Sequence, residues 1–248
     1  MITWTNPAHY EYTRALDGSG WAWEFLRRNS RYRREWQAFM QTWLTLEAEY
    51  GQAPNRDYAG WKHDARANVF EPPLDAGETV AAWHARTGND CVAIECAFGA
   101  KWGLYKFPPD PDRTATELGD ALCFRAHPEL AKVIRPDSAY LGQTEAQIAI
   151  GFDLDLPLKA QIEEAKRFLI ARQHHLRRDA GLAMRSVTTQ SDSWLHSLRI
   201  LDALEANAAA SEIAQTLFDG DRDAYAVHLH QALALHDEAY RALPGLAQ

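Results

Sequence analysis

A chain of 248 residues with 46% hydrophobic and 24% charged residues has ordinary globular composition, which excludes disordered and collagen-like classes. No apolar run approaches the ~18 residues of a membrane-spanning helix, residues 1–7 lack a basic-then-apolar leader pattern, and three cysteines without framework spacing point to a reducing compartment. A soluble cytoplasmic protein with no membrane partner is expected, and the net charge of −8 argues against a non-specific nucleic-acid coat protein, whose field would be positive.

Eight of the nine tryptophans lie at or before Trp102, whereas six of the ten histidines follow residue 170. This asymmetry predicts two modules, 1–150 and 151–248. Residues 19–28 carry Trp21, Phe25 and Leu26 at helical spacing, with Ser19 as a candidate N-cap. A second helix is predicted from Ser30, where Tyr32, Trp36, Phe39, Met40, Trp43 and Tyr50 recur every three or four residues up to Gly51. Pro54, Pro72 and Pro73 make 51–78 a connecting loop with short elements. Val92, Ile94, Cys96 and Phe98 alternate as in a strand, with Cys96 on its buried face. Leu104–Phe107 extends the pattern as a hairpin arm, and Ile148, Ile150, Phe152 and Leu154 alternate again. The segment from Phe107 to Pro111 reads as an extended turn.

Beyond Asp155 the chain is predicted to be helical. Pro157 opens a helix whose apolar face is Ile162, Ala165, Phe168 and Leu169, ending near Arg172. A polar stretch over 174–192 follows, then a helix over 193–206 with Trp194, Leu198, Leu201 and Leu204 on one face. A short helix over 211–218, the turn Asp219-Gly220-Asp221 and a last helix over 222–243 complete a helix-turn-helix layout. The fold class read from this pattern is α+β and mostly α-helical: a Trp-rich helical N-terminal part, a small central sheet and a C-terminal three-helix domain of helix-turn-helix type.

No catalytic motif is visible: GxSxG, HExxH, a Walker loop and a GxGxxG after a strand are all missing, so a non-enzyme without metal or other cofactor is expected. Cys91 and Cys96 are too poorly spaced, with His84 upstream, to make a convincing zinc set. Arg27, Arg28, Arg31, Arg33 and Arg34 place five arginines in eight residues. Such a run fits a phosphate- or acid-binding patch or two solvated helix ends.

In the C-terminal helices, Ile213 and Leu217 would anchor the core and Ala214 would let the next helix cross closely. The helix beginning at Arg222 would then present Arg222, Asp223, His228 and Gln231 outward, where Arg can read guanine and Gln adenine. Arg172, Arg177, Arg178, Arg185 and Arg199 are the other basic groups nearby; Arg177, Arg178 and Arg185 suit phosphate contacts that position a reading helix, or a solvated linker. With 10 Lys+Arg against 14 Asp+Glu over 151–248, one copy would neutralise few phosphates, so binding is expected to depend on assembly. Histidines near such a contact would make affinity vary between pH 5 and 8.

The run Gly20-Trp21-Ala22-Trp23-Glu24-Phe25-Leu26-Arg27-Arg28-Asn29 with Tyr32-Arg33 is joined by Trp102-Gly103-Leu104, Phe152-Asp153-Leu154, Ala171-Arg172-Gln173, Leu201-Asp202-Ala203, Glu212-Ile213-Ala214 and Ala239-Tyr240-Arg241. Together they resemble the RovC-type family of bacterial transcriptional regulators, over most of the chain. The resemblance implies an activator of type VI secretion genes that binds double-stranded promoter DNA through a C-terminal helix-turn-helix domain. It also implies a regulatory or assembly N-terminal domain and self-association as a dimer or higher, up to a hexamer built from dimers. Relatives include antiactivators that bind proteins, so a protein-binding module using the same helices stands as the alternative. Where many relatives carry arginines on the last helix, this chain has His228, His230 and His236.

Overall fold

A computed structural model describes residues 3–105, 107–125, 148, 150–181 and 186–246. The chain starts with a 3-10 helix over Pro7–Ala15, followed by α1 (Gly18–Leu26), whose cap is Asp17 rather than Ser19: the Asp17 carboxylate accepts from Gly20 N at 2.7 Å. From Trp21 to Leu26 every side chain of α1 is buried, on all sides of the helix. A helix buried all round sits inside a fold rather than on it. Helix α2 (Ser30–Tyr50) runs to Gly51 as its spacing predicts.

Short elements fill the expected loop: α3 (Tyr58–His63) and strand β1 (Asn68–Val69); helix α4 (Val80–Thr87) follows. Strand β2 (Val92–Ala93) pairs antiparallel with β1, Asn68 opposite Ala93 and Val69 opposite Val92. The architecture is thus mostly helical with one small two-stranded sheet, as the composition pattern indicates.

The strand expected from Val92 to Phe98 stops after two residues and becomes α5 (Ile94–Lys101). Ile94, Phe98 and Trp102 are spaced four apart, so a helix gathers them on one side. Phe98 then meets Tyr32 at 5.8 Å and Phe39 at 5.2 Å between ring centroids. The same change turns Cys96 outward, exposed instead of buried. Leu104 makes only an isolated bridge to Phe124, not a hairpin arm. The segment from Pro108 to Asp110 has no regular structure and is held by aromatic donors. Tyr32 OH donates to Pro109 O, Trp36 Nε1 to Pro108 O and Trp23 Nε1 to Arg113 O. Helix α6 (Ala115–Leu118) follows.

The alternating run at 148–154 forms no strand among the described residues. Residues 150–153 lack regular structure and Leu154 lies in a turn, 83% exposed. The backbone of Asp153 exchanges two 2.8 Å bonds with the Gln161 side chain instead of with a neighbouring strand. Helix α7 (Leu158–Asp179) extends past Arg172, because nothing in residues 173–179 breaks a helix before Gly181. Helix α8 (Val187–Glu205) starts six residues earlier than predicted, nucleated by a capping box between Ser186 and Thr189. The polar stretch over 174–192 is therefore largely helical. Helices α9 (Ala210–Phe218) and α10 (Arg222–Asp237) follow, and the last predicted helix ends early, giving way to a 3-10 helix over Ala239–Gly245 that contains Pro244.

One buried cluster runs from Trp4, Tyr10 and α1 through Trp102 and Leu104 to Trp194, Leu198, Ile213, Tyr225 and Tyr240. Helix α1 packs most extensively against the C-terminal 3-10 helix, and α8 against α10. Trp21 meets Trp194 at 5.3 Å between ring centroids, so the first and last parts of the chain share a core. A smaller cluster joins Leu46, Trp61 and Ala67.

Candidate nucleic-acid interface

Helices α9 and α10 form the helix-turn-helix pair. Asp219 (φ 51°) and Gly220 (φ 85°) are both left-handed, and Gly220 N returns to Ala214 O at 3.0 Å, which reverses the chain in three residues. Asp221 then caps α10 through Asp223 N and Ala224 N. Ile213 and Ala214 are buried between the helices, the roles their sizes suggest.

The candidate residues occupy distinct places. Arg222 stands exposed at the first turn of α10, beside the exposed carboxylate of Asp223. His228 and Gln231 turn towards α8 instead of outward. Gln231 Oε1 accepts from Ser193 Oγ at 2.7 Å, and the His228 ring stacks on Phe218 at 5.1 Å and lies 5.4 Å from His196. Burial, helped by the neighbouring His196, holds the His228 imidazole below its ordinary range, so it stays neutral at neutral pH. The outward face of α10 is instead Ala226, Val227, His230, Leu233 and Ala234, and Val227 is 67% exposed.

Arg177 and Arg178 are exposed on the last turn of α7, where cations favour the helix dipole, and Arg178 Nε lies 3.1 Å from Asp179 Oδ1. Arg199 anchors the N-terminal segment: its Nε donates to Trp4 O at 2.8 Å and its Nη2 to Thr5 O at 3.2 Å. Burial lowers its pKa from the usual value. Arg185 lies outside the described residues. Arg177 and Arg178 stay together on α7 and Arg222, His228 and Gln231 on α10; Arg199 is held against the N-terminal backbone.

In the arginine run at 27–34, Arg27 and Arg28 turn inward, while Arg31 and Arg34 are exposed. Glu24 is wholly buried; Arg27 Nε reaches its carboxylate at 2.9 Å and Arg28 Nη1 at 2.6 Å, while Tyr12 OH donates to it at 2.7 Å. Arg28 also binds Asp202 on α8, to which Tyr10 OH donates at 2.5 Å. Burial pushes the Glu24 carboxyl up, but Arg28 and Arg27 more than reverse this and leave it below its usual range. Burial likewise disfavours the Arg28 cation, and Asp202 and Glu24 outweigh it. Arg33 binds Asp112 and Arg31 binds Glu35 at the surface. Four of these five arginines are thus paired with carboxylates of the same chain. Sequence reasoning missed this network, although Glu24 at i−3 and i−4 from Arg27 and Arg28 was a readable sign of it.

Among the described residues, no group of three His, Cys, Asp or Glu is placed to hold a metal, and no helix is long and apolar enough to cross a membrane. Cys91 Sγ lies 3.8 Å from His84 Nε2 and 3.3 Å from Asn68 Oδ1.

Residues 3–68 match the family of the proteobacterial transcriptional regulator-like domain. The match covers the Pro7–Ala15 helix, α1, α2 and α3, including Glu24 and Arg28, and it supports a regulatory role. No curated protein and no solved structure matches the chain.

Proposed function

We propose that this protein is a bacterial cytoplasmic transcription regulator that binds double-stranded promoter DNA as a homo-oligomer. The observation that carries the reading is the α9–turn–α10 pair, stacked on α8 and locked by Arg28–Asp202 to the regulator-like segment. In this reading α10 enters the major groove with Arg222 leading, and Arg177 and Arg178 contact phosphates. Arg185 is assigned to phosphate contact as well. His228, Gln231 and Arg199 support the reading helix from behind, through Phe218, Ser193 and the N-terminal backbone. Residues 151–248 carry the DNA-facing surface and residues 1–150 the regulatory part. The resemblance to RovC-type activators supplies the target class, type VI secretion genes.

The test is retardation of promoter fragments from the chain's own neighbourhood over a salt series. Binding that is sequence-dependent and weakens with salt supports the reading; no retardation at low salt overturns it.

A second reading has its own observation. Arg222 is the sole Lys or Arg of α10, and the outward face of that helix carries Val227 and Leu233. Such a face suits a protein groove, as in an antiactivator. Co-purification of another regulator, without retardation of DNA, selects this reading.

A further inference from the structure

The three cysteines are free; Cys91 is partly covered, whereas Cys96 and Cys123 are exposed. Cys91 directly precedes β2, and its Sγ faces side chains from two other elements. Asn68 Oδ1 on β1 lies at 3.3 Å and His84 Nε2 on α4 at 3.8 Å. Each partner is held by bonds of its own. Asn68 Nδ2 donates to Lys62 O at 3.1 Å and to Asp64 O at 2.9 Å, which leaves its Oδ1 for the thiol. His84 Nδ1 lies 2.6 Å from Asn89 O. A carbonyl only accepts, so Nδ1 carries the proton and Nε2, the atom beside Cys91, is the basic nitrogen. Thiol, imidazole and carbonyl thus stand in the order of a nucleophile, its base and the group that orients the base. Neither Cys96 nor Cys123 hydrogen-bonds an imidazole among the described residues.

We propose that Cys91 is a site of reversible oxidation by small hydroperoxides, with His84 as its base. At rest the thiol donates to Asn68 Oδ1, the nearer acceptor. Rotation about Cβ–Sγ turns the same proton to His84 Nε2. Sγ then attacks the terminal oxygen of ROOH; an S–O bond forms and the O–O bond breaks. The thiol proton passes through His84 Nε2 to the departing RO⁻. Cys91–SH and ROOH therefore give Cys91–SOH and ROH, with sulfur oxidised by two electrons and the peroxide reduced by two. Two small thiols reverse the step, giving Cys91–SH, their own disulfide and water.

The place of the thiol gives the step a structural consequence. Asn68 is the last residue of the regulator-like match and pairs with Ala93 across the two-stranded sheet. Asn89, which orients His84, also donates through Nδ2 to Glu71 O, so the loop after α4 and the segment after β1 share this corner. The S–H bond to Asn68 cannot survive oxidation, because the sulfur no longer carries the proton. Oxidation thereby removes one tie between β1 and the residue that enters β2. The proposal goes beyond DNA binding and does not rest on it.

The experiment uses three full-length chains that each keep one cysteine, the other two being replaced by serine. Each is treated with hydrogen peroxide at pH 7 while dimedone traps the sulfenic acid, and the adduct is followed by mass. The chain that keeps Cys91 is expected to react at least about 10-fold faster than the other two, although its thiol is the least exposed. In that chain H84A brings the rate down to that of the other two, and imidazole added to the buffer restores it. H84Q, which keeps a donor for Asn89 O but has no base in place of Nε2, lowers the rate equally. Equal rates in the three folded chains overturn the proposal. So does a faster Cys96, whose place in the first turn of α5 favours a thiolate through the helix dipole alone. A preference for Cys91 that persists in urea also overturns it, because local sequence and not geometry then sets the rate. An unchanged rate in H84A or H84Q overturns the role of His84, as does a loss in both that imidazole does not reverse, which makes His84 a packing residue.

Discussion

Arg28 and Asp202 stand 174 residues apart in sequence and meet through two bonds, Nε to Oδ1 at 2.6 Å and Nη2 to Oδ2 at 3.1 Å. The fork is bidentate, and Glu24 takes the remaining face of the guanidinium through Nη1. One arginine therefore binds two carboxylates, one on α1 and one on α8, and ties the regulator-like segment to α8.

Removing that arginine leaves the part-buried Asp202 carboxylate without its guanidinium and the buried Glu24 with Arg27 alone. Arg28→Met is expected to cost about 3–5 kcal/mol, the range for breaking one side of a buried pair. Arg28→Lys keeps the charge without the fork and is expected to fall between the two. Chemical denaturation of the full chain at pH 7 measures both; equal loss in Met and Lys would remove charge from the explanation.

Gly18 gives a second point of leverage. A Cβ there would lie 2.0 Å from Leu243 O and 2.8 Å from Leu243 C, both backbone atoms of the C-terminal 3-10 helix. Neither can rotate away. Gly18→Ala is expected to destabilise by about 1–3 kcal/mol, as overpacking does, although alanine favours an isolated helix over glycine. A denaturation midpoint equal to or above that of the natural chain would show that the approach is not tight.

Acid should weaken the fold in two windows. His228 has a folded pKa below its ordinary 6.5, so it contributes stability that is fully present above 6.5 and is lost as pH falls through the folded value. Glu24 is depressed below 4.5 and contributes in the same sense in the lower window, above 4.5 and lost as pH falls further. Thermal midpoints from pH 8 to pH 3 are expected to fall in both. His228→Phe keeps the stack on Phe218 and should flatten the upper window alone; an unchanged slope there would assign it to another histidine.

For DNA, Arg177→Ala with Arg178→Ala is expected to lower the salt slope of promoter binding by about 2, close to 0.9 for each phosphate that is no longer neutralised. Arg222→Ala is expected to cost about 1–3 kcal/mol for the preferred sequence and much less for others. Fluorescence anisotropy over a salt series separates the two effects.

The sequence by itself determined the local features. The periodicity of α2 up to Gly51, the size pattern at Ile213-Ala214 and the turn at Asp219-Gly220 all depend on residues within a few positions of one another. The sheet at β1–β2 and the helix over 94–101 were misplaced because an alternating run of four apolar residues fits either state, and Tyr32 and Phe39 on α2 decide it. Tertiary structure alone determined which charges are available. Arg27 and Arg28 look like surface groups until Glu24 and Asp202 are brought to them, and His228 looks like a reading residue until Phe218 and His196 cover it. Burial and charge pairing are set by neighbours distant in the chain. The same reason leaves the apolar face of α7 visible in the sequence as an ordinary amphipathic pattern, and only the fold reveals that no other described element packs extensively along it.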